Sequence, residues 1–157
     1  MNAKHRALRF GFLMGLFVLI YGSFTVFVKP YYGLRVNVTS SLPQTLFLSF
    51  PIKNIQQASY VSFNRPDSPR PLVKEIRGLP GDPIDIKEGH VFVAGQDCGL
   101  ALRVSQSGHI YAPTSYRWVP PGYVYVHSPH PESFDSRYEE FGLVKIEELT
   151  EQLWPLF

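Results

Sequence analysis

The run FGFLMGLFVLIYGSFTVFV, residues 10 to 28, holds nineteen consecutive positions without a formal charge, and it constrains this chain more than any other stretch. At ~1.5 Å rise per residue a helix of that length reaches about 28 Å, close to the hydrocarbon thickness of a bilayer. That length and apolarity argue against a buried helix of a soluble domain. A cleaved signal peptide shares the basic flank, but its apolar core is only ~7–15 residues long. Lys29-Pro30-Tyr31-Tyr32 also offers no small-x-small cleavage site. The sequence therefore predicts a retained anchor.

Charge orients that anchor. Lys4, Arg6 and Arg9 precede the run and only Lys29 and Arg35 follow it closely, so the positive-inside rule predicts a cytoplasmic N-terminus. The expected organisation is a cytoplasmic segment 1–9, a transmembrane anchor 10–28 and an extracytoplasmic domain 29–157. The first 66 residues carry seven cations and no acid, the remainder eight cations and thirteen acids. The cations are scattered, with no dense Lys/Arg run or reader motif, which excludes a nucleic-acid partner and matches an anionic lipid bilayer.

The 157 residues leave room for one ordinary domain beside the anchor and none for a second, cofactor-sized one. With 14 Pro, 12 Gly and a rich complement of Phe and Tyr, that domain is expected to be mainly β. Leu34, Val36 and Val38 alternate with polar residues as in a half-buried strand. Further strands are predicted at 58–63, 72–76, 123–126 and 143–146, with a hairpin joining IDI to HVFV around Lys87-Glu88-Gly89. IEELTEQLW, residues 146–154, reads as a short C-terminal helix with Ile146, Leu149, Leu153 and Trp154 inward. Residues 94–118 are poorly patterned and read as an insertion. Cys98, the single cysteine, permits no internal disulfide and reads as an inert residue beside Gly99.

Three places carry candidate chemistry. Thr39, Ser40 and Ser41 cluster at the end of the first strand, which Pro43 closes. Lys74 shares a strand face with Leu72 and Ile76. Enclosure there would disfavour its ammonium form and make it a base near neutral pH, whereas snorkelling would leave it an ordinary cation. The polar loop 128–142 concentrates Ser133, Asp135, Ser136 and Arg137, where an acid and a base could equally cap a turn or pair weakly at the surface. His127 and His130 have H-x-x-H spacing without further ligands, a poor metal site.

Taken in order, the anchor, SSLP, VKEIRGLPGD and SFDSR resemble the type I signal peptidases of the serine–lysine S26 family, closest to the conjugative-transfer TraF/TrhF-like peptidases. The resemblance implies a signal-peptidase-like antiparallel β domain behind one transmembrane helix. The general S-M-x-P pattern would make Ser40 the nucleophile, whereas N-x-[ST]-x-S-[LM]-P of the transfer subgroup is met by Asn37 to Pro43 and points to Ser41. In that register the resemblance implies that Thr39 and the Ser41 amide form the oxyanion hole and that Lys74 is the general base. It likewise implies that Ser133 orients the lysine and that Asp135 and Arg137 support the site. HSPHPES stands where ordinary signal peptidases carry a GDN-type sequence.

The implied activity is cleavage of the leader of an exported precursor, a conjugative propilin above others, with cyclisation of the pilin as a variant outcome. No metal or organic cofactor is implied. The implied setting is a bacterial inner membrane with the catalytic domain in the periplasm and conjugation or secretion machinery as partner. A housekeeping signal peptidase and a catalytically idle assembly factor are the alternatives.

Overall fold

The computed structural model describes residues 3–28, 32–37, 41–102, 104 and 108–157. They fall into two compact units, Met1–Gly33 and Leu34–Phe157. The first is helical: α1 spans Ala3–Ser23 and passes into a π-helical segment, Phe24–Val28. Its window Arg9–Val26 is apolar enough to cross a membrane and none of it is buried within the protein. A helix apolar on all sides over that window is compatible with a single-pass anchor.

The second unit is mainly β, as expected. Its strands are β1 Gly33–Val36, β2 Leu46–Phe50, β3 Tyr60–Phe63, β4 Leu72–Gly78, β5 Ile84–Lys87, β6 His90–Val93, β7 Gln96–Leu100, β8 Tyr123–His127, β9 Val144–Lys145 and β10 Leu149–Pro155. Seven form one sheet in the order β1-β2-β10-β3-β4-β8-β9, and β5-β6-β7 form a second. The core, with Val61, Phe63, Ile76, Val93, Val119 and Tyr125 fully buried, lies between them. Gly78 is needed for this approach, because a Cβ there would sit 2.7 Å from Val93 Cγ1 and 3.0 Å from Tyr125 Cβ. Only Gly81 of the GLPGD turn uses positive φ, at 94°.

The predicted C-terminal helix is not formed. A 3₁₀ turn, Ile146–Glu148, leads instead into β10, which pairs with β2 on one side and β3 on the other. Leu149 and Leu153, four residues apart, fit one face of a helix and equally one face of a strand. Two open strand edges decide for the strand by satisfying the backbone of 149–155 on both sides. Trp154, expected inward, is 64% exposed. The predicted strand 143–146 shrinks to β9 and is not the last. β1 lies at the sheet edge with Leu34 and Val36 exposed, so its alternation does not mark a buried face; Val38 lies outside the described residues. The insertion 94–118 contributes β7, in which Cys98 is buried against the core.

Candidate active site

β4 carries Lys74 at the centre of the sheet, opposite Val61 of β3. Leu72, Lys74 and Ile76 share a face by the two-residue period of the strand. The lysine is only 4% exposed. Burial is the main cause that lowers its pKa to about 8; the Asp135 carboxylate pulls the other way and Arg137 lowers it slightly. The ammonium loses hydration it cannot recover from hydrocarbon walls, so the neutral amine is accessible near neutral pH. Its Nζ donates to Ser133 Oγ at 2.5 Å.

Ser133 belongs to the loop 128–142, whose prolines and glutamates face solvent while its other polar residues turn inward. Ser133, Asp135, Ser136 and Arg137 are all buried, and Arg137 is 1% exposed. Ser136 fastens the loop to β8, its Oγ accepting from Val126 N and its N donating to Val126 O, both at 3.1 Å. Arg137 Nε donates to Asp135 Oδ1 at 2.9 Å and Nη2 to Oδ2 at 3.0 Å. The same Nη2 donates to Ser133 O at 3.0 Å and His130 O at 3.2 Å. One guanidinium thus fixes the backbone that aims Ser133 at Lys74. Burial pushes the Asp135 carboxyl up, and the facing His127 and Arg137 outweigh it and hold the group below its usual range. His127 Nδ1 stands 3.3 Å from Asp135 Oδ2, an ion-pair distance without hydrogen-bond alignment.

Ser41 is half-buried in the turn between β1 and β2. Asn37 Nδ2 closes that connection by donating to Gln44 O at 3.1 Å, and Asn37 N donates to Thr45 O at 2.8 Å. The next side chain, Leu42, is buried with Phe47 and Leu153, which pins the turn to the sheet. Ser41, Lys74 and Ser133 line one cavity of about 370 Å³, together with His130, Glu132 and Arg65. A groove of about 540 Å³ also reaches Ser41 and Lys74, running past Leu72, Val73 and Val36. The structure therefore brings Ser41, Lys74, Ser133, Asp135 and Arg137 to one place. Thr39 and Ser40 lie outside the described residues.

Sequence reasoning missed His127 as a neighbour of Asp135, and His130, Glu132 and Arg65 as cavity walls. The two histidines were visible only as an H-x-x-H pair, a pattern that suggests metal rather than a contact with a carboxylate. Glu132 and Arg65 come together through folding alone.

Residues 6–153 match the family described as signal peptidase, peptidase S26. The chain belongs to this family. It is similar to the conjugal transfer protein TraF of Agrobacterium tumefaciens strain 15955, with 36% identity over 89 residues, 55% of this chain and 49% of that one. The conjugal transfer protein TraF of Agrobacterium fabrum strain C58 is 33% identical over 69 residues, 43% of this chain and 39% of the relative. The chain thus spans about half or less of the length of the curated relatives it matches. A crystal structure of a signal peptidase I from Enterococcus faecalis V583 aligns with a TM-score of 0.43 and 25% identity over 62% of this chain and 95% of the solved one.

Proposed function

We propose that this S26 member is a membrane-anchored serine endopeptidase that removes the leader of an exported precursor with a Ser41/Lys74 dyad. The observation that carries this reading is the buried, depressed-pKa amine of Lys74 lining one cavity with a serine hydroxyl. A lysine so placed is costly to fold, and general-base chemistry gives a reason for it.

In this mechanism the neutral Lys74 amine takes the proton of Ser41 as Oγ attacks the scissile carbonyl. The tetrahedral oxyanion is held by the Ser41 amide and by Thr39, and loss of one such donor costs ~2.7–4 kcal/mol. Lys74 then protonates the leaving amine, the C–N bond breaks, and an acyl-enzyme remains on Ser41. The amine, neutral again, takes a proton from water, which attacks the ester and frees the acid. An incoming α-amine in place of water would close a peptide bond and release Ser41, the step that makes a circular pilin. Both routes share the acyl-enzyme and differ only in acceptor.

The sheet supports a path for the substrate. β3 pairs with Leu72 to Glu75 of β4, whereas β8 pairs only from Glu75 onward. Leu72, Val73 and Lys74 thus keep one strand edge for an extended peptide. We take that peptide to be a conjugative pilin precursor, a reading to which the conjugal transfer relatives lend a setting in conjugation; helix α1 supports a membrane anchor, and the cations before it support a cytoplasmic N-terminus with the β domain on the periplasmic side of an inner membrane.

The test is expression with a candidate propilin beside Ser41→Ala, Ser40→Ala and Lys74→Ala. Processing should be lost with Ser41→Ala and Lys74→Ala and kept with Ser40→Ala. Normal processing by Ser41→Ala would overturn the nucleophile. A product lighter than the linear chain by one water identifies ring closure.

A further inference from the structure

The groove that leads to Ser41 and Lys74 is walled mainly by apolar surface, with Asn37, Ser62 and Ser68 and two guanidiniums, Arg35 and Arg70, among its other walls. The two differ in occupation. Arg35 holds Glu151 with two hydrogen bonds, 2.9 Å from Nε and 2.5 Å from Nη2, so its charge is already matched. Arg70 is exposed, and its side chain meets no carboxylate or carbonyl among the described residues. An unmatched cation at the rim of an apolar groove attracts an anion on whatever enters.

The backbone that presents Arg70 is stiff. It lies in Ser68-Pro69-Arg70-Pro71, where two proline rings fix φ on either side and Pro71 disfavours helical backbone at Arg70. Ser68 Oγ donates to Arg70 O at 2.7 Å and accepts from Arg70 N at 3.4 Å. So restrained a segment loses less backbone freedom when its side chain pairs, which favours recognition.

We propose that Arg70 is a specificity-determining residue that selects precursors with an acidic side chain three to five residues from the scissile bond. This rests on the reading of the groove as the substrate path. Arg70 is four residues before Lys74, at most ~13 Å of extended chain, and a peptide lying along the Leu72 to Lys74 edge advances at the same rise per residue. Its side chain at that distance from the reacting carbonyl faces the guanidinium. A basic side chain there meets like charge, so the site both favours one precursor and discriminates against another.

The experiment uses the full chain in detergent micelles with Ser41→Ala to stop turnover. Fluorescent peptides with small residues at the centre carry one Glu or one Lys stepped through every position, and affinity is read by anisotropy. At one position the Glu peptide should bind about fivefold tighter than the Lys peptide, the upper range for an ion pair open to water. That ratio should fall toward one in 1 M salt, where screening shortens to ~3 Å, and should invert when Arg70→Glu is added. Equal affinities at all positions, no measurable binding, or a preference that survives Arg70→Glu would overturn the proposal. Cleavage of the same peptides by the active chain is scored separately. Cleavage without charge preference removes the role of Arg70 and leaves the peptidase, whereas charge-selective binding without cleavage does the reverse.

Discussion

Lys74 Nζ and Ser133 Oγ meet at 2.5 Å although 59 residues separate them in the chain. The contact is held from behind, because Arg137 donates to the carbonyl of Ser133 and is itself locked on Asp135. The amine is thereby oriented by a hydroxyl whose own backbone is tied down by hydrogen bonds, at the cost of burying an ion pair. An interior of this kind is rigid where a lysine chain alone would be the most mobile part of the site.

Removing that hydroxyl should therefore affect turnover more than binding. For Ser133→Ala, kcat should fall about 10- to 100-fold, the scale of a misplaced catalytic group, with KM nearly unchanged. Steady-state kinetics on a leader peptide measures both. A rise in KM at constant kcat would instead make Ser133 a substrate contact.

The pH profile follows from the lysine. With its pKa near 8, the neutral fraction grows about tenfold between pH 7 and 9, and kcat/KM should grow with it before levelling off. A flat profile over that range with Lys74 intact would remove the lysine from the role of base.

The Asp135 and Arg137 pair should behave as a buried pair. Asp135→Asn leaves a 1% exposed guanidinium without its counter-charge, and breaking such a pair costs about 3–5 kcal/mol. Urea unfolding of the β domain measures this. Asp135→Leu combined with Arg137→Met should cost less than the two single changes together, because neither charge is then left alone. A single-variant loss below about 1 kcal/mol would mean that the pair behaves as an exposed one.

Much of this site was legible because strand alternation is a local signal. It put Lys74 on the Leu72 and Ile76 face, and the lysine is buried there. The support around it was not legible from pattern. Ser133, Asp135 and Arg137 read as a polar loop, since hydrophobicity cannot distinguish charges facing water from charges facing each other. Only resemblance to a family singled them out. The C-terminal strand was misread for another local reason, the shared spacing of Leu149 and Leu153, which tertiary pairing with β2 and β3 resolves. The hydroxyl cluster is sorted least, with Ser41 in the cavity and Thr39 and Ser40 outside the described residues.

The same lysine makes stability depend on alkaline pH. Its folded value, about 8, lies below the ordinary 10.5 of the amine, so between these limits the unfolded chain binds a proton that the folded chain has released. Stability should accordingly rise with pH through that window, flatten above 10.5, and below about 8 carry the full penalty of an enclosed ammonium. The penalty is roughly 3 kcal/mol for a shift of this size. Lys74→Met keeps the apolar stem and removes the charge, so it should abolish proteolysis, raise stability at pH 7 by about 1–2 kcal/mol, and lose this rise between pH 8 and 10.5. The gain is smaller than the penalty because Ser133 Oγ loses its partner, a cost of roughly 1 kcal/mol. Urea midpoints for both proteins across pH 6 to 10.5 measure the difference. A Lys74→Met protein that is less stable at pH 7 than the parent would show that the amine is a structural contact rather than a strained base.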